Sequence, residues 1–234
     1  PVPIYFLPGH GGHISNGLGQ ELGRRGFDVM GRETLGDFKK LRFDAQVETV
    51  AEDLKASFWH HDALVLANSY GAYLLLQALS LSESFPGKVL LLSPIVGEFS
   101  NENTRMGFIP PYSQRLQELA KSGKFPLPRC CEIHVGSEDW QSNPVNVTAF
   151  GSMLGIPVTV VPNPTVVLPI VILSLLPFGR TTTFCIPTPA KVVAENEVAP
   201  KNIEAIVVTL LVSHAEISPL KVDLLKKALD MFVT

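Results

Sequence analysis

The sequence predicts an α/β fold: a mostly parallel sheet with helices on both faces and a small cap. Three observations predict it. Short apolar runs alternate with segments of helical periodicity, the pattern of a parallel sheet buried on both sides. The chain has 234 residues, enough for one full-sized domain. In Leu64–Leu79, LVLANSYGAYLLLQAL, an apolar strand passes directly into good helix formers through Asn68-Ser69-Tyr70-Gly71.

The elements follow in order. Val2–Leu7 is an apolar strand that runs into Pro8-Gly9. Ser15–Arg25 has a helical pattern closed by Gly26. Phe27–Met30 is a short strand. Phe43–Trp59 carries Val47, Val50, Leu54 and Phe58 at helical spacing. Asp62–Ala67 is a strand and Gly71–Leu81 a helix. Lys88–Leu92 is a strand followed by Ser93-Pro94, and Cys131–Val135 is another followed by Gly136-Ser137-Glu138-Asp139. Between them, 97–128 is long, mixes polar with aromatic residues and holds one helical stretch, Gln114–Lys121; it reads as a cap or as a crossover with a long loop. Pro157–Val161 is a strand. Beyond it come the apolar Val166–Phe178, a Thr- and Pro-rich stretch, a strand-like Ile203–Val212 and an amphipathic helix over Leu220–Phe232. The whole chain reads as one domain, 1–234, with 164–201 as an insertion.

Composition excludes several classes. The net charge is −3, which gives nucleic acid and anionic membranes no basic surface. Val166–Phe178 is too short to span a bilayer and is interrupted by Pro169 and Pro177. Three cysteines make no disulfide framework and fit a reducing, cytoplasmic setting. No basic leader precedes the first strand.

In a parallel sheet, ligands collect at the carboxyl ends of the strands. The loops after Leu7, Ala67, Leu92 and Val135 share that edge and carry Gly9-His10-Gly11-Gly12-His13, Ser69, Ser93 and Asp139. A sharp strand-to-helix turn lifts its central side chain above the edge, provided that small residues flank it at two places either side. Ala67-Asn68-Ser69-Tyr70-Gly71 meets that condition, with Ala67 in place of the first glycine. A serine capping a buried helix would read the same way. As a nucleophile, Ser69 would find oxyanion donors in the main-chain amides of Tyr70 and His10, and Gly11 lets backbone approach a substrate oxygen. The same glycine loop also resembles a dinucleotide cradle, with Glu33 on the ribose, but Ile14 stands where the third glycine belongs.

Asp139, just past a strand, suits a carboxylate that orients a histidine; Glu138 is the adjacent alternative. Of the six histidines, His60 and His61 fall at the opposite edge, His134 lies inside a strand, and His10 and His13 come too early. His214 alone follows both Ser69 and Asp139, after a strand and before a helix, as the base requires. Phe108 and Tyr112 are candidates for an apolar acyl pocket.

Ile4–His13, Leu64–Leu76, Lys88–Pro94 and Glu132–Pro144 resemble the α/β-hydrolase superfamily, in particular the small serine hydrolases of the retinoblastoma-binding-protein-9 type and related bacterial hydrolases. The resemblance covers about Ile4–Pro162. It implies a Ser–Asp–His triad acting on esters or amides without metal or organic cofactor, with Ser69 as nucleophile, Asp139 as orienting acid and the amides near His10 and Tyr70 as oxyanion hole. The pattern departs after Val161. A Gly-His turn is expected there, and Pro162-Asn163-Pro164-Thr165-Val166 contains no histidine. A hydrolase-fold binding module without a working base is the alternative that this departure raises.

Overall fold

The structure, a computed structural model, describes residues 1–103 and 105–161. The first half runs β1 (Val2–Leu7), α1 (Gly17–Arg24), β2 (Phe27–Gly31), α2 (Gly36–Lys40), α3 (Phe43–Asp53), β3 (Leu64–Asn68), α4 (Tyr70–Ser80) and β4 (Lys88–Leu92). A π-helical turn, Leu54–Phe58, extends α3. The hairpin β5 (Phe99–Asn101) and β6 (Met106–Phe108) follows, then α5 (Ser113–Lys121), β7 (Cys130–Gly136), α6 (Pro144–Leu154) and β8 (Val158–Val161).

Six strands form one sheet in the order β2-β1-β3-β4-β7-β8, and every pairing is parallel. Side chains alternate between its faces. Ile4, Phe6, Leu64, Leu66 and Leu90 pack with Leu22 of α1. Tyr5, Leu7, Val65, Ala67, Leu91 and Ile133 face the other way, against Val50 of α3, Leu75 of α4, Leu116 of α5 and Phe150 of α6. Helix α4 lies at the centre of that layer. Residues Gly71–Leu79 are all buried, so it is apolar all round rather than amphipathic.

The strand boundaries agree with the sequence reading to within two residues, and β4 matches it at both ends. Two helices and one hairpin go beyond the sequence reading. Helix α2 is a single short segment. Helix α6 carries clear end signals: the Asn143 side chain caps the amides of Val145 and Asn146, Pro144 opens the helix, and Gly155 closes it at φ 69°. The β5–β6 hairpin occupies the first part of the 97–128 stretch, while α5 buries Leu116 and Ala120 in the common core.

Among the described residues, no helix is long and apolar enough to cross a membrane. Cys131, at the start of β7, is a free thiol whose pKa burial pushes up to about 12. His214, the 164–201 stretch, Val166–Phe178 and the Leu220–Phe232 segment lie outside the described residues.

Candidate active site

The order of strands locates the site. From β1 the chain passes to β2 on one side, and β3 lies on β1's other flank. The loops after β1 and β3 therefore diverge, and a crevice opens between them at the carboxyl edge. Gly9 and Ser69 meet there. A Cβ built on Gly9 would stand 3.4 Å from Ser69 Cβ and 3.8 Å from its Oγ.

Ser69 has φ 51° and ψ −115°, a conformation that costs a non-glycine residue of the order of 1–3 kcal/mol. The surrounding backbone holds it there. Its N–H donates to Leu92 O at 2.9 Å, and its carbonyl accepts from Tyr73 N at 3.2 Å and Ile95 N at 3.4 Å. Gly71 lets α4 press onto β1, because a Cβ there would collide with the carbonyl oxygens of Leu7 and Pro8. The side chain makes no capping hydrogen bond to α4. A serine selected as an N-cap would make that bond, as Asn143 does on α6. Ser69 is half-buried, so its hydroxyl stands at an accessible position at the start of α4. The first amides of a helix lack intrahelical acceptors, and the helix dipole points its positive end at the same place. An all-parallel sheet in the order β2-β1-β3-β4-β7-β8, with a strained serine where β3 turns into α4, sets the architecture. The fold is that of an α/β hydrolase.

No protein-family model and no curated protein matches the chain. Solved structures do. The ydeN gene product of B. subtilis is similar at a TM-score of 0.48 and 11% identity, over 70% of this chain and 86% of that one. Est1E from Butyrivibrio proteoclasticus gives 0.48 and 14%, over 69% and 78%. Alpha/beta hydrolase domain-containing protein 10 from mouse gives 0.48 and 12%, over 69% and 80%.

The glycine loop is held by Thr34, which the sequence did not single out, and by Glu33. Thr34 is 2% exposed. Its hydroxyl donates to Gly9 O and accepts from Gly12 N at 3.0 Å. Its carbonyl accepts from Gly11 N, and its own N–H donates to Gly12 O, both at 3.1 Å. Glu33 accepts from Ile14 N at 3.2 Å and pairs with His13 at 3.5 Å. These bonds bear on two readings of the loop. The Gly11 amide is spent inside the protein, and Glu33 grips the loop rather than standing out toward a ribose. The His10 ring rests edge-on against Tyr70, with centroids 5.8 Å apart.

Asp139 is 7% exposed and follows β7. Its Oδ1 accepts from Gln141 N at 3.1 Å and Ser142 N at 2.8 Å. The Ser142 hydroxyl donates to Ser93 O, and Ser93 N donates to His134 O at 2.7 Å. The ends of β4 and β7 are thus tied together, with Asp139 on one side of β4 and Ser69 on the other. His134 is 5% exposed within β7, where its Nδ1 and the Ser93 Oγ are buried without hydrogen-bond partners.

Tyr70 is fixed at its far end. Its hydroxyl donates to Gln46 Oε1 at 2.8 Å, and burial raises its pKa. The Phe108 ring meets Tyr70 edge-on, with centroids 6.0 Å apart. Tyr112 sits elsewhere. At φ 62° it precedes α5, and its ring lies against Phe43 at 6.0 Å, beside Tyr73 rather than Tyr70. Gln46, Thr34 and Ser142 left no mark in the sequence. Trp140 did, since it directly follows the candidate acid and reaches Phe99 of the hairpin at 5.6 Å.

Proposed function

We propose that this protein is a serine hydrolase that cleaves a carboxylic ester, or an amide, through an acyl-enzyme on Ser69. The observation that carries the proposal is the Ser69 backbone, held at positive φ while its hydroxyl does no capping. A strained residue that performs no structural task is a functional signal.

In the proposed reaction Ser69 Oγ attacks the substrate carbonyl carbon, and its proton passes to an imidazole. His214 is assigned that role on sequence order and lies outside the described residues. The negative charge that develops on the carbonyl oxygen is met by the main-chain amides of His10 and Tyr70. Collapse breaks the carbon–oxygen bond, and the imidazolium gives its proton to the departing alcohol. Water then repeats the attack, and the acid leaves with Ser69 restored. Asp139 holds the imidazole's tautomer and stabilises its cation, and Oδ1 already has two amide donors to fix its direction. Phe108 lies beside the acyl group, and no metal or organic cofactor takes part.

Labelling with a fluorophosphonate tests this reading. The wild-type chain should be labelled, Ser69→Ala should not, and His214→Ala should label far more slowly. A folded wild-type chain that stays unlabelled favours the alternative, a hydrolase-fold binding module without a working base.

A further inference from the structure

Five aromatic rings touch in series along the carboxyl edge of the sheet. His10 meets Tyr70 at 5.8 Å, Tyr70 meets Phe108 at 6.0 Å, Phe108 meets Phe99 at 5.9 Å, and Phe99 meets Trp140 at 5.6 Å. They come from four separate places: the glycine loop, the residue after Ser69, the β5–β6 hairpin, and the residue after Asp139. The row therefore joins the oxyanion loop, the nucleophile and the acid.

None of the five is buried. Trp140 is 37% exposed, His10 is exposed, and Tyr70, Phe99 and Phe108 are half-buried. The aromatic rings of the core are treated differently: Tyr5, Phe6, Phe58, Tyr73, Phe85 and Phe150 are all 2% exposed or less. Tyr70, Phe99 and Phe108 pack on the core from one side, and the aromatic surface that the row leaves open beside a reactive alcohol suits a ligand.

The row is also rigid. Phe99 and Phe108 are cross-strand partners, so both rings leave the same face of the hairpin. Tyr70 is anchored through its hydroxyl to Gln46, which is 5% exposed and donates in turn to Leu41 O at 3.1 Å. Three of the four contacts are edge-to-face, at interplanar angles of 72–82°. Rings already set in that arrangement favour another planar π-system over a saturated ring of equal size.

We infer that this row is a subsite for an aromatic ring on the acyl part of the substrate. The inference rests on the hydrolase reading for its word "acyl", and the ring preference stands on the rings alone.

The test compares 3-phenylpropanoate with 3-cyclohexylpropanoate, which differ only in whether the ring is planar and unsaturated. The chain has two tryptophans, so Trp59→Phe leaves Trp140 as the sole indole reporter, directly on the row. In that protein 3-phenylpropanoate should change Trp140 emission with a dissociation constant about fivefold below that of 3-cyclohexylpropanoate. Phe108→Leu should bring the two constants together, and Phe108→Tyr should keep them apart. The kcat/KM values for the two methyl esters, read by acid release, should differ in the same direction. Equal binding, tighter binding of the saturated acid, or no response to either acid overturns the inference. Preferential binding without hydrolysis of either ester sustains the subsite and refutes the hydrolase reading. Hydrolysis of both esters with equal binding does the reverse.

Discussion

Thr34→Val tests the proposed oxyanion loop. Valine keeps the shape of the side chain and removes its hydroxyl from a site that is 2% exposed. Two hydrogen bonds disappear, one to Gly9 O and one from Gly12 N. At about 0.5–1.5 kcal/mol net for each bond, the loss is about 1–3 kcal/mol. The actual cost should fall in the lower part of that range. Gly12 N and Gly9 O keep each other at 2.9 Å, and both main-chain bonds between Thr34 and the loop survive. We expect about 1–2 kcal/mol, or about 3–6 °C in Tm for a domain of this size. Losing an oxyanion donor outright costs about 10²–10³ in kcat, so a donor that is loosened rather than removed should cost about tenfold. The measurements are thermal unfolding and kcat on an activated ester, with Thr34→Ser as the restoring control. Serine keeps the hydroxyl and should recover most of both losses. A drop in Tm with kcat unchanged refutes the claim that Thr34 positions the donor. An unchanged Tm refutes the hydrogen-bond account itself.

Ser69→Gly should abolish fluorophosphonate labelling and yet stabilise the fold. Relief of about 1–3 kcal/mol of backbone strain outweighs the glycine's entropy cost of about 0.5–1 kcal/mol, which chemical denaturation would read directly. Asp139→Asn keeps an acceptor for the Gln141 and Ser142 amides, so stability should change by under about 1 kcal/mol while kcat falls by about 10³–10⁴. Alkaline pH should destabilise the protein. Burial first, and the hydrogen bond to Asp53 second, raise the Tyr5 phenol, while burial pushes Tyr73 up to about 12. An unfolded phenol ionises near about pH 10, so above that pH the folded state holds more protons and stability falls as pH rises, by at most about 1.4 kcal/mol per unit for each phenol. Urea midpoints should be flat from pH 7 to 9 and fall beyond pH 10, and Tyr5→Phe should reduce that slope.

What the sequence made legible was whatever repeats locally. Strand β4 is Lys-Val-Leu-Leu-Leu with turn residues after it, and both its ends were readable. The Ser69 turn was readable because small neighbours are a local requirement. Helix α6 was overlooked although Asn143-Pro144 and Gly155 announce both its ends, because an apolar helix carries little periodic contrast. Thr34 and Gln46 were out of reach for a different reason. Each acts on a residue more than 20 positions away, and only the register of β1 against β2 and the packing of α3 on α4 bring the partners together. Tyr112 shows the converse error. It sits four residues from Phe108 in sequence, but the hairpin ends between them and α5 starts, so their rings face different elements.

The case for function rests on where strain is tolerated. Four described non-glycine residues have positive φ: Ser69, Ser93, Arg105 and Tyr112. Two of them, Ser69 and Ser93, end adjacent parallel strands at the same edge, and Ser93 hides its hydroxyl at 6% exposure without a partner. Ser69 leaves its hydroxyl accessible. The same strand-end geometry therefore produces a sequestered alcohol after β4 and an open one after β3. Hydrogen-bond satisfaction favours neither arrangement, since glycine or alanine would remove the unpaired group. The difference lies in the neighbours. The Ser93 carbonyl is held by the Ser142 hydroxyl, whereas Ser69 stands beside Gly9, which places no side chain next to its hydroxyl. Gly9→Ala would place a methyl 3.8 Å from Ser69 Oγ, beside the proposed oxyanion position. It should lower kcat while leaving the fold intact, a combination that a purely structural role for Ser69 does not produce.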